Sequence, residues 1–150
     1  MNIRNVLLVD DDPAIRMVAE ICLAKVGNWN VSLADCGPKG LEIALREKPD
    51  LILLDVMMPG MDGPTMLGLL RQQSDTPVIF VTAKVQPSEV DRYLSLGAVG
   101  VIAKPFDPME LPKIICNIVK GQQTRVIYDG ATVTSIEREA LDRNLVPLAG

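Results

Sequence analysis

The 150-residue sequence contains no histidine. That removes imidazole as a general acid or base, as a metal ligand and as a carrier of phosphohistidine on this chain. Cysteine is scarce. Cys22, Cys36 and Cys116 are odd in number and lack a C-x-x-C spacing, which argues against a zinc site or a disulfide framework and makes buried free thiols the expectation. No apolar run approaches the roughly 20 residues of a membrane span. The first residues, Met1-Asn2-Ile3-Arg4-Asn5, lead into a strand-like run without the apolar segment of a signal peptide. The expected location is cytoplasmic, with no membrane partner. Positive charge is in the minority: 15 Lys and Arg stand against 19 Asp and Glu, so the chain carries no nucleic-acid footprint of its own. What remains is 48% hydrophobic and 23% charged, the balance of a soluble globular protein with length for one domain and its core.

Short apolar, β-branched runs alternate with helical patterns five times. Val6-Leu7-Leu8-Val9 reads as a strand ending at Asp10-Asp11-Asp12. Pro13 then suits a first helical turn with Asp12 as N-cap. Ile15, Val18, Ala19, Cys22, Leu23 and Val26 give that helix an apolar stripe, and Gly27 ends it. A second strand is expected at Val31–Ala34, with a helix near Pro38–Glu47 carrying Leu41, Ala44 and Leu45 inward. Leu51-Ile52-Leu53-Leu54 is apolar throughout, as in a strand buried on both faces. A loop at Pro59–Gly63 precedes a helix near Pro64–Gln73. Then come a strand at Val78–Val81, a helix near Ser88–Leu96 ending at Gly97, and a strand at Val99–Ala103. Leu111, Ile114, Ile115, Ile118 and Val119 form the stripe of a last helix.

This alternation implies an α/β fold with a parallel sheet covered on both faces, because parallel strands need crossover helices. In such sheets ligands gather at the carboxyl ends of the strands. The residues at those ends are Asp10-Asp11-Asp12, Asp35, Asp55, Thr82 and Lys104. Asp12 and Asp35 are expected to be a helix cap and a solvated turn residue. Asp10, Asp11 and Asp55 together would crowd three carboxylates into one crevice, which like-charge repulsion disfavours unless a cation intervenes. An all-oxygen donor set without His or Cys selects Mg2+ or Mn2+ over zinc. Lys104 adds a positive charge and Thr82 a hydroxyl donor. Phosphoryl transfer asks a protein mainly for such positioning and neutralisation, and a carboxylate can hold the group covalently.

The chain resembles a response-regulator receiver domain, the chemotaxis-protein-like module of two-component signalling. The resemblance rests on Leu7–Pro13, Leu51–Gly63, Pro77–Ala83, and Gly97-Ala98 through Lys104-Pro105-Phe106, within about residues 3–121. It implies a flavodoxin-like, doubly wound (βα)5 domain over 1–121 with strand order 2-1-3-4-5. It also implies Asp55 as phosphoacceptor and a Mg2+ (or Mn2+) site made by Asp55, Asp11, Asp10 through water and the Met57 backbone carbonyl. Thr82 would bond the phosphoryl group, Ala83 would leave it room, Lys104 would pair with it, and the Lys104–Pro105 bond would be cis. The donor would be a sensor histidine kinase or a histidine phosphotransfer protein. A downstream protein or a second copy would meet the face formed by 88–96, 99–103 and 109–120. Such a module accelerates its own phosphorylation and dephosphorylation and is not a turnover enzyme.

Three features depart from that pattern. Val101 stands where an aromatic switch residue is expected, and Met57 and Lys84 occupy positions two beyond Asp55 and Thr82 that bear on dephosphorylation. Residues 122–150 are too few for an output domain. Within them Asp129-Gly130 signals a hairpin over Val126–Val133, and Thr134-Ser135-Ile136-Glu137 a capping box opening a helix with Ile136, Ala140, Leu141 and Leu145 inward. That extension would pack on its own domain, mediate dimerisation or open an output domain. Two rival readings remain. A haloacid-dehalogenase-like phosphatase would use Asp10 as nucleophile with Asp12 two residues on, but Pro13 breaks that motif and no acidic pair follows Lys104. A degenerate receiver would act only as an interaction module, a reading that Val101 favours and the full acidic set opposes.

Overall fold

A computed structural model of the chain describes residues 2–120. The expected domain end at 121, the 126–133 hairpin and the helix from 134 lie outside the described residues. Five strands and five helices alternate: β1 (Asn5–Val9), α1 (Pro13–Lys25), β2 (Asn30–Ala34), α2 (Gly37–Glu47), β3 (Leu51–Asp55), α3 (Gly63–Arg71), β4 (Val78–Thr82), α4 (Pro87–Ser95), β5 (Gly100–Ala103) and α5 (Leu111–Val119), the last preceded by a 3-10 turn at Pro108–Glu110. The strands form one parallel sheet in the order β2-β1-β3-β4-β5. Expected and observed elements agree within a residue or two at their ends.

Helix starts follow the local chemistry. Asp12 accepts the Ala14 N–H at 2.9 Å and Asp62 accepts the Thr65 N–H at 2.8 Å, each satisfying a donor that the helix leaves unpaired. Gly97 ends α4 at φ +107°, a backbone angle that suits a residue without Cβ.

The continuous apolar strands are buried on both faces, so two cores flank the sheet. Val6, Leu8, Leu53, Ile79 and Ile102 pack under α1 and α5. Leu7, Val9, Ile52, Leu54, Phe80 and Val101 pack under α2, α3 and α4. Two expectations need correction. The buried stripe of α1 is narrower than the periodicity suggests: Ala19, Cys22 and Leu23 are buried, whereas Val18 and Val26 are 40% and 51% exposed. Of the cysteines, Cys22 alone is buried, while Cys36 and Cys116 are half-buried. Among the described residues no helix is long and apolar enough to cross a membrane.

Candidate phosphoryl and metal site

Parallel strands end at one edge of the sheet, and this edge gathers the polar side chains. Asp10 follows β1, Asp55 closes β3, Thr82 closes β4 and Lys104 follows β5. Among the described residues, Asp10, Asp55 and Thr82 are the buried polar ones in a core that is otherwise apolar. Each needs a partner there, since unpaired burial is costly. The Lys104 ammonium supplies one, with Nζ 2.9 Å from Asp10 Oδ2 and 3.4 Å from Asp55 Oδ1. The other Asp10 oxygen, Oδ1, accepts the Asp12 N–H at 2.9 Å, and the Asp10 carbonyl accepts from Arg16 Nη1 at 2.7 Å. Asp55 Oδ1 accepts the Met57 N–H at 3.3 Å. Lys104 is fixed through its own N–H, which donates to the Thr82 carbonyl at 2.8 Å, and the Lys104–Pro105 peptide is cis.

Asp11, exposed, completes the acidic set. Carboxylate oxygens of Asp10, Asp11 and Asp55 lie within 4.8 Å of one another. The electrostatics show that the notch is short of positive charge. Burial and then the Asp10 charge push the Asp55 carboxyl up to about 7, and Lys104 offsets them only in part. For Lys104, burial works against the charged form, but the Asp10 hydrogen bond and the charges of Asp10 and Asp55 outweigh it and raise its pKa. An oxygen-only donor set with surplus negative charge fits a hard divalent cation.

Gly63 lets this edge close. A Cβ there would lie 2.4 Å from the Asp55 carbonyl oxygen and 3.0 Å from Val56 Cα, so the α3 start can approach β3 only as glycine. The sequence reading treated Gly63 as a loop residue and missed this role, which no periodicity reveals. Thr82 is at the same edge, with its Oγ accepting the Lys84 N–H at 3.0 Å, and Ala83 is exposed beside it. Met57 is 57% exposed. Val101 lies deeper, buried in β5 opposite Phe80.

A family model for the response regulator receiver domain matches residues 6–116. The chain belongs to the response regulator receiver family. The chemotaxis protein CheY4 of Vibrio cholerae has a similar solved structure, with TM-score 0.72 and 32% identity over 78% of this chain and 99% of that one. The transcriptional activator protein IrlR of Burkholderia pseudomallei (strain 1026b) is 38% identical over 120 residues, 80% of this chain and 52% of that protein. A protein of Porphyridium aerugineum named "Probable transcriptional regulator ycf27" is 39% identical over 120 residues, 80% of this chain and 50% of that protein. The receiver thus spans about half the length of the curated relatives it matches. Receiver domains are signalling modules of two-component systems that interact with histidine kinases and bind Mg2+ at an acidic pocket. Family membership removes the support for the phosphatase reading.

Proposed function

We propose that this receiver is phosphorylated on Asp55 by a phosphohistidine of another chain, with Mg2+ or Mn2+ bound by Asp10, Asp11 and Asp55. The carrying observation is the convergence of three carboxylates and Lys104 from three strand ends at contact distance. In the transfer, an Asp55 carboxylate oxygen attacks phosphorus, the P–N bond to the donor imidazole breaks, and an acyl phosphate forms. The imidazole leaves with its electron pair and takes a proton from solvent. The cation, when bound, neutralises the equatorial oxygens and holds Asp55 ionised. Asp11, with Asp10 through water and the Met57 carbonyl, would hold it beside Asp55. Lys104, already between Asp10 and Asp55, pairs with the phosphoryl group, Thr82 donates its hydroxyl to it, and Ala83 leaves it room.

The donor approaches from outside the edge. There an apolar cleft of about 410 Å3 adjoins Lys104 and Ala83, walled by Ile15, Val18, Phe106 and Pro108. Such a surface suits an apolar helix face carrying a histidine. Output passes through α4, β5 and α5 to a protein partner or a second copy. Relatives named as transcriptional regulators favour gene expression as the output, reached without nucleic-acid contact by these residues. The receiver acts in the cytoplasm as a module that turns over only its own phosphoryl group.

Incubation with acetyl phosphate and Mg2+ followed by mass-spectrometric site mapping tests this. Labelling on Asp55, lost in Asp55→Asn, is the expected result. Labelling on Asp10 would restore the phosphatase reading, and no labelling would leave an interaction module.

A further inference from the structure

The aromatic side chain missing from β5 has a counterpart on α4. Val101 pairs in register with Phe80, and Ala103 with Thr82, so β5 offers small side chains to the face that α4 covers. Tyr93 fills that space. It is fully buried, and its ring lies 5.3 Å from that of Phe80, tilted by 57°. Its hydroxyl donates to the Lys84 carbonyl at 3.3 Å, while the Lys84 N–H donates to Thr82 Oγ at 3.0 Å. Lys84 is thereby tied on one side to the Thr82 hydroxyl and on the other to a helix core. Burial pushes the Tyr93 phenol up, as expected of a hydroxyl held in a core.

We infer that Tyr93 is the positioning residue that senses the Thr82 hydroxyl and transmits its state to α4, taking from a helix the place that an aromatic residue in β5 would hold. This deepens the phosphorylation reading and rests on it. A threonine hydroxyl has one proton and one rotor. Turned toward a phosphoryl oxygen on Asp55, it leaves the Lys84 N–H. The β4–α4 connection then loses one anchor, and the buried phenol must follow the Lys84 carbonyl as that residue shifts, because an unpaired hydroxyl in a core is costly. Two packings of α4 follow, and the phosphoryl group biases them through its differential contact with Thr82.

The chain has two tyrosines, so protein labelled at the tyrosine ζ carbon gives two resonances, and Tyr93→Phe assigns them. Acetyl phosphate with Mg2+ is added, and Asp55 labelling is quantified by mass spectrometry in the same samples. The Tyr93 resonance is expected to shift in step with Asp55 labelling, and to stay fixed in Thr82→Ala carried to the same labelled fraction. Amide exchange over residues 84–95 should respond to labelling in the unmodified protein. In Tyr93→Phe that response should fall severalfold with labelling retained. A core residue without the sensing role would lower the melting temperature in Tyr93→Phe yet leave that response whole. An unmoved Tyr93 resonance in labelled protein, or a full exchange response in Tyr93→Phe, overturns the inference while leaving phosphorylation intact. Absence of Asp55 labelling overturns the phosphorylation reading and this inference with it.

Discussion

Removing Lys104 tests the site's energetics most directly. Its ammonium sits 2.9 Å from one buried carboxylate and 3.4 Å from another, with only 19% of its side chain exposed. At an effective dielectric of about 20, each contact is attractive by about 5 kcal/mol before desolvation. Desolvation of the ammonium offsets much of that sum. The net loss on breaking such a buried pair is about 3–5 kcal/mol, because uncompensated charge is left behind. For a domain of this size Lys104→Met should lower the melting temperature by about 10–15 °C in chelator-treated protein.

The loss must depend on pH in a definite direction. Asp55's folded pKa of about 7 lies above its ordinary value of 3.8. The folded protein therefore keeps a proton that the unfolded chain has released, and metal-free stability falls as pH rises from about 4 to about 7. Above that window Asp55 carries its full charge and Lys104 matters most. Below it Asp55 is neutral and Lys104 faces Asp10 alone. Denaturant melts at about pH 8 and about pH 5 should thus show a larger Lys104→Met penalty at the higher pH. Mg2+ should recover part of it at about pH 8 by binding the folded state. A penalty below about 1 kcal/mol at about pH 8 would mean a solvated surface pair and refute the reasoning. So would a penalty equal at both pH values.

Asp55→Asn removes a buried charge held against Asp10, and should stabilise chelator-treated protein by about 1–3 kcal/mol at neutral pH in denaturant melts while weakening the Mg2+ response. Asp50 accepts the Arg4 and Asn5 N–H groups at 2.9 Å each, which lowers its pKa and ties the loop before β3 to the start of β1. Asp50→Asn should cost about 1 kcal/mol at neutral pH, a difference that shrinks as pH falls through the depressed pKa, since the native carboxylate then protonates. Gly63→Ala places a methyl group against backbone rather than a yielding side chain, and should cost more than about 2 kcal/mol and slow Asp55 labelling. Val101→Phe overpacks the space that Tyr93 fills and should cost about 1–3 kcal/mol in thermal melts, part of which Tyr93→Ala in the same chain recovers.

The strands, their parallel arrangement and the edge bearing Asp10, Asp55, Thr82 and Lys104 were legible because each depends on local pattern. Four apolar residues followed by aspartate mark both a doubly buried strand and its polar end, and alternation with helices fixes which end faces ligand. What stayed hidden depends on distances across the fold. The exposure of Val18 and Val26 follows from where the sheet and α5 stop covering α1, which a helical period cannot report. Gly63 reads as a turn glycine until the Asp55 carbonyl is found 2.4 Å from its missing Cβ. Tyr93 reads as one more apolar position three residues after Val90, and only the register of Phe80 with Val101 shows that a large ring has room there.

That contrast bears on how the receiver works. The edge that carries the carboxylates and Lys104 is specified by short motifs at strand ends, and a single substitution in it removes a charge outright. The coupling layer beneath is specified by complementary volumes. A small residue in β5 and a large one on α4 fill the same space as the reverse pairing would. Tyr93 contacts Phe80 and Lys84 from a helix, so in the proposed coupling a turn of Thr82 would reach α4 through a side chain rooted in α4 itself. Val101 is thus matched by an acidic notch in contact with Lys104 and by a Thr82 bonded to the loop that Tyr93 holds, a geometry that the labelling experiments set against the interaction-module reading.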